Sequence, residues 1–118
     1  MIYVGVCGSR SFNKYELLRP LLDGLKLKYG FITIVTGGAT GADSMAESWA
    51  RYSKVNFIVY KPDWTLGKHA GFLRNKQIAE KCDELIACFV KGLPCKGTHH
   101  TVQLATDLAK PVTYVVAE

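Results

Sequence analysis

The chain has no apolar run long enough to cross a membrane, and it does not open on a charged, apolar and small-residue leader. Met1-Ile2-Tyr3-Val4-Gly5-Val6-Cys7 passes straight into strand-like sequence, so a cytoplasmic setting with no membrane partner is expected. Cysteine is sparse. Cys7, Cys82, Cys88 and Cys95 show no CxxC spacing, which argues against a disulfide scaffold and the common zinc frameworks. Cys95 with His99 and His100 can be drawn as a metal corner, but the set stops short of four ligands, so no metal is expected. Reduced thiols fit better, with Cys7 and Cys88 as small hydrophobes inside strands. Basic residues outnumber acidic ones by 15 to 10, yet no Lys/Arg run exists. A charge of +5 permits a phosphate-bearing partner without calling for nucleic acid. Walker and GxGxxG loops are both missing, and no nucleophile–base pair is evident. His99 and His100 read as solvated residues near a helix start more readily than as catalysts.

What the chain does have is regular alternation. With 118 residues, 48% hydrophobic and 21% charged, it can bury a core as a single domain, residues 1–118, without cross-links. Strands are expected at residues 2–7, 31–35, 55–60, 84–90 and 112–116, mostly as continuous β-branched or apolar runs. Helices are expected between them. Asn13 caps the first, which runs to about Leu27 with Leu17, Leu18, Leu21, Leu22 and Leu25 at core spacing and ends at Gly30. Pro20 either kinks that helix or lies near the start of its main part. The second runs from about Ala42 to Ser53 and the third from Lys68 to Lys81, and the last takes Thr98 as N-cap. Continuous apolar strands alternating with helices are the pattern of a parallel sheet covered on both faces. The fold class is therefore α/β, a Rossmann-like three-layer sandwich of about five parallel strands in order 3-2-1-4-5. The topological switch point falls between strands 1 and 4.

The site is expected where the βα loops emerge, at the carboxyl edge of the sheet. Thr36-Gly37-Gly38-Ala39-Thr40-Gly41-Ala42-Asp43 joins the second strand to the second helix. Glycines there allow close backbone approach, and the helix start favours an anion. The same loop also reads as a tight turn and nothing more. Arg10, Lys61, Lys91 and Lys96 fall in the same set of loops, which suits an anionic small molecule. On the third helix Gly71, Arg74, Asn75, Ile78 and Cys82 share one face, so polar groups head toward the interior and need partners. Arg74 is either a clamp for phosphate or for Asp43, or a surface residue at the edge of that face. Trp64 is a stacking lid or a hydrophobic plug. Asp43 is a helix-start residue or a ribose ligand.

In order along the chain, Cys7-Gly8-Ser9-Arg10-Ser11-Phe12, Thr36 to Asp43, Trp49-Ala50, Pro62-Asp63-Trp64, Gly67-Lys68-His69-Ala70-Gly71, Arg74-Asn75 and Gly97-Thr98 together resemble the SLOG superfamily. The resemblance is to its small YspA-type, YpsA-related branch. It implies a Rossmann-like fold and a pocket for a nucleotide or nucleotide-derived ligand, such as ADP-ribose, an NAD derivative or a cyclic nucleotide. Around that pocket it places Gly8, Ser9, Arg10, Gly37, Gly38, Asp43, Arg74, Asn75, Gly97 and Thr98. Gly41 and Trp64 complete the candidate ligand-binding set. Sensing, carrying or sequestering such a ligand is the implied role, with no cofactor. LOG phosphoribohydrolases in the same superfamily carry a PGGxGTxxE motif with a catalytic glutamate. Here Pro94-Cys95-Lys96-Gly97-Thr98-His99-His100-Thr101 keeps Gly97-Thr98 and puts Thr101 where the glutamate stands. Threonine cannot serve as a carboxylate, so N-glycosidic hydrolysis is the alternative, with Asp43 and Glu47 as substitute acids. DprA-like single-stranded DNA binding is a further one. LOG relatives are dimers, which makes a homodimer the expectation by analogy.

Overall fold

The computed structural model describes residues 1–118. Its elements alternate as β1 (Ile2–Gly8), α1 (Tyr15–Tyr29), β2 (Ile32–Thr36), α2 (Ala42–Tyr52) and β3 (Asn56–Val59), then a 3-10 turn (Trp64–Leu66). After it come α3 (Ala70–Lys81), β4 (Glu84–Val90), α4 (Lys96–Asp107) and β5 (Val112–Ala117). All strand pairs are parallel, in the order β3-β2-β1-β4-β5 expected from the sequence. No helix is long and apolar enough to cross a membrane.

Strand residues alternate between two cores. Val4, Val6, Ile32, Ile34, Ile86, Cys88, Val115 and Ala117 face α1 and α2, where Leu18, Leu22, Ala46 and Trp49 meet them. Cys7, Val35, Leu85 and Ala87 face α3 and α4, against Ile78, Ala79 and Ala105. Parallel strands buried on both sides explain why the runs read as continuous rather than alternating. Trp49 is the largest side chain wholly inside the first core, and its indole N–H donates to Asp23 Oδ1 at 2.8 Å.

Three helix starts differ from the sequence reading, and the strand ends shift by a residue or so. Asn13 does not cap α1: Lys14 occupies the cap position, and no side chain bonds the free amides there. Phe12 is fully buried and pins the preceding loop, so the helix starts one residue later than expected. Thr98 is not the cap of α4 either. Pro94 delivers the chain to Cys95, which takes that position, and Thr98 lies buried in the first turn. The third helix begins at Ala70 rather than Lys68, because Gly67, at φ +86°, closes the 3-10 turn first. Elsewhere Gly30 ends α1 at φ +79°, and Pro20 sits inside that helix, which continues through it.

Trp49→Ala removes the largest buried side chain and leaves a cavity against α1. It is expected to cost about 3–5 kcal/mol in a urea unfolding titration.

Candidate ligand cavity

Two close approaches fix where the loops meet. A Cβ on Gly8 would lie 2.6 Å from the Cys88 carbonyl oxygen and 2.8 Å from Ala42 Cβ, so β1 can end against β4 and α2 only with glycine there. Gly41 has φ +80°, and a Cβ on it would strike the Ser9 carbonyl oxygen. The β1 loop and the glycine loop are thus pressed backbone to backbone at the switch point.

Asp43 lies in the first turn of α2 and is 5% exposed. Its Oδ2 accepts from the Gly37 N–H at 2.9 Å and from the Ala39 N–H at 3.3 Å. The carboxylate therefore staples the loop that precedes its own helix. It is not a free helix-start charge, and that oxygen is already committed. Burial pushes its pKa up to about 6; the Ala39 and Gly37 amides and then the Arg74 charge oppose the rise without cancelling it.

Arg74 and Asn75 extend this frame. Arg74 Nη1 donates to the Gly37 carbonyl at 2.7 Å, and its Nε donates to Asn75 Oδ1 at 2.9 Å. A guanidinium nitrogen can only donate, so it fixes the Asn75 amide orientation. Asn75 Nδ2 then reaches the Gly97 carbonyl at 3.4 Å and His100 Nδ1 at 3.2 Å. The imidazole accepts at Nδ1 and carries its proton on Nε2. Three βα segments are joined by this single chain of hydrogen bonds.

The frame encloses a cavity of about 370 Å³. Gly8, Ser9, Arg10 and Ser11 line it from the β1 loop, and Ala39 and Asp43 from the second loop. Arg74, Asn75 and Ile78 line it from α3, and Pro94, Cys95, Gly97, Thr98 and Thr101 from the start of α4. Cys7 forms the floor, its thiol kept protonated by burial well above the usual range. Eight of the twelve candidate residues thus meet around one space. Gly37, Gly38 and Gly41 shape the loop behind it: Gly37 carries the Asp43 and Arg74 bonds, and Gly38 packs toward Val59 and Lys61. Trp64 is not at the cavity. It is 63% exposed on the 3-10 turn, with its ring over Gly71.

Ser11, Cys95 and Thr101 line the cavity although they were not candidates. Cys95 Sγ lies 2.7 Å from Thr98 Oγ1, and Thr101 Oγ1 donates to the Gly97 carbonyl at 3.0 Å. The missed signal was topological, since all three sit beside candidate residues at the mouths of the two strands flanking the switch point. His99 and His100 diverge, the first onto the Phe89 ring at 4.9 Å and the second edge-on to Phe72 at 4.7 Å.

The cavity wall gathers more positive than negative charge. The one direct ion pair in the molecule is Arg19 with Asp23; Arg10 and Arg74 make none, although Asp43 lies near enough to feel the Arg74 charge. Arg74 keeps three unspent N–H donors beside the N-terminal amides of α4, where the helix dipole is positive. Asp43 is the sole carboxylate in the lining. Glu47, the other acid near the loop, accepts from Thr36 Oγ1 at 3.1 Å and is not part of the wall.

The fold and this cleft at the switch point define a Rossmann-like α/β domain. The profile of the YspA, cpYpsA-related SLOG family matches residues 3–67, more than half of the sequence. The chain belongs to that family. It is 34% identical over 115 residues to the Gene 61 protein of Mycobacterium phage D29, covering 91% of this chain and 90% of the relative. Among solved structures it is similar to DNA processing protein A from Helicobacter pylori, whose structure addresses a single-stranded DNA binding mode. That match has a TM-score of 0.68 at 19% identity and covers 96% of this chain but only 64% of the other, so it speaks to the fold.

The raised Asp43 pKa sets a pH signature. In the unfolded chain the group titrates near 3.8, so between about pH 4 and 6 the folded state holds the extra proton. This contribution to stability is therefore full below pH 4, falls as pH rises through 6, and is flat above. Relative to Asp43→Asn, which keeps an acceptor oxygen, the wild-type chain is expected to lose about 3 kcal/mol across that window in denaturant titrations.

Proposed function

We propose that this chain binds a nucleotide or nucleotide-derived anion in the cavity between the β1 loop, the glycine loop and the start of α4, and holds it intact. Arg74, with three N–H donors to spare in a lining shared with Arg10 and the first turn of α4, carries this reading. The phosphate of the ligand would pair with Arg74 and Arg10 and take the amides near Gly97 and Thr98. Ser9, Ser11 and Thr98 supply hydroxyls suited to a ribose or a second phosphate. A role as sensor, carrier or sequestering protein follows from retention without turnover. The ligand classes that fit are ADP-ribose-like, NAD-derived and cyclic nucleotides.

Hydrolysis of an N-glycosidic bond needs a carboxylate free to stabilise positive charge or to activate water. Thr101 spends its proton on a backbone carbonyl, and Asp43 holds the loop. Binding is the better supported reading. Single-stranded DNA is a second one, favoured by the shared fold and the formal charge of +5.

Thermal denaturation against ADP-ribose, NAD, mononucleotides and cyclic nucleotides tests the first reading, with each hit recovered and chromatographed. A ligand that binds only the native state raises Tm. The expected result is a shift with intact ligand, weakened at least about tenfold in affinity by Arg74→Ala, since a charge-assisted hydrogen bond is worth roughly 1.5–3 kcal/mol. Recovery of free base with ribose phosphate would favour hydrolysis. Affinity only for oligonucleotides, falling steeply with salt, would favour DNA.

A further inference from the structure

The face of the sheet opposite α1 and α2 is incompletely covered. On this side α4 packs over β4, and β5 at the sheet edge carries Tyr114, 59% exposed, and Val116, 51% exposed. Backbone geometry adds a second feature at the same residues. The Pro111 carbonyl accepts from the Leu85 N–H at 2.9 Å, and the Ala117 carbonyl accepts from the Lys91 N–H at 2.8 Å. A strand residue sends its N–H and C=O to one side and the next residue to the other. Odd-numbered residues of β5 therefore bond to β4, whereas Val112, Tyr114 and Val116 aim theirs off the edge.

Such edges are normally blunted by charge, proline, a bulge or a cover. The opposite edge is managed in this way: β3 is four residues long, is flanked by Lys54 and by Lys61-Pro62, and has the Arg51 guanidinium over Phe57. β5 also has a Lys-Pro pair before it, Lys110-Pro111, but it is six residues long, and Val112-Thr113-Tyr114-Val115-Val116-Ala117 holds no charge, proline or bulge within the strand.

We infer that β5 pairs antiparallel with β5 of a second copy, joining two five-stranded sheets into one of ten. The strand is self-complementary in a single register. With Tyr114 opposite Tyr114, Val112 faces Val116 twice, all through the outward backbone groups, giving about six interchain hydrogen bonds. The flanking charges select that register, because Lys110 then stands opposite Glu118. Sliding by two residues one way sets Val112 against Glu118, and the other way Lys110 against Val116. Lys110 Nζ already donates to the Ala79 and Glu80 carbonyls, which leaves one proton for the partner's carboxylate. The two-fold axis sends the carboxyl edges in opposite directions, so the two cavities open independently.

Sedimentation velocity of the full chain between roughly 1 and 200 µM tests this, a span that covers micromolar dissociation constants. A reversible dimer is expected. Val116→Lys should raise its Kd at least about tenfold, because a lysine on the edge opposes pairing. Facing Cα atoms of a hydrogen-bonded pair lie about 5.5 Å apart, within disulfide reach. Tyr114→Cys should therefore yield a covalent dimer under mild oxidation, and Thr113→Cys, turned to the other face, should not. A monomer throughout the range overturns the inference. So does a dimer indifferent to Val116→Lys in which Tyr114→Cys forms no crosslink. Should Val116→Lys unfold the chain, the crosslinking pair decides.

Discussion

Asp43 turns its carboxylate back beneath the strand end that precedes it and accepts two amides of the glycine loop. Desolvation of that group is costly, as its elevated pKa shows, and two backbone hydrogen bonds with a nearby guanidinium offset the cost only in part. The return is geometric. With the loop held down, the Gly37 carbonyl points at Arg74, which orients Asn75, which in turn reaches Gly97 and His100. The cavity wall is one connected set of polar contacts, and every buried side-chain donor and acceptor in the molecule has a partner. Satisfied networks of this kind are stiff, which suits a preformed binding cleft.

That frame leaves positive charge unspent at one place. Arg74 is anchored at two nitrogens and open at the rest, and α4 begins beside it with free amides. Rigid cations and helix-terminal amides lose little freedom when an anion arrives. Asp43 is the one carboxyl in the lining, with Oδ2 committed to the glycine loop, and Glu47 is held by Thr36 outside the wall.

Much of this was legible in the sequence because the controlling patterns are short-range. Continuous runs such as Leu85-Ile86-Ala87-Cys88-Phe89-Val90 signal a strand covered on both faces, and alternation with helices gives the order 3-2-1-4-5. Gly8, Arg10, Asp43, Arg74, Asn75, Gly97 and Thr98 converge because each lies at a strand mouth or on the inward face of α3. What escaped depends on tertiary detail. Burial of Phe12 displaces the start of α1, and Pro94 hands the cap of α4 to Cys95, neither of which a capping preference can reveal. The role of Asp43 as a loop staple needs a backbone conformation that composition does not encode. Trp64 reads from its place in a loop as either a base-stacking lid or a hydrophobic plug, and the 3-10 turn carries it over Gly71, largely exposed.

The most direct measurement is a two-dimensional amide NMR titration of the folded chain with ADP-ribose and AMP. Binding in the cleft should move the amides of Ser9 to Ser11, Ala39 and Gly97 to Thr98 together, along with the Arg74 side-chain resonance, and leave the surface of β3 still. A ligand that binds while those amides stay fixed, or that shifts only exposed lysine-bearing loops, would contradict the assignment of this cavity.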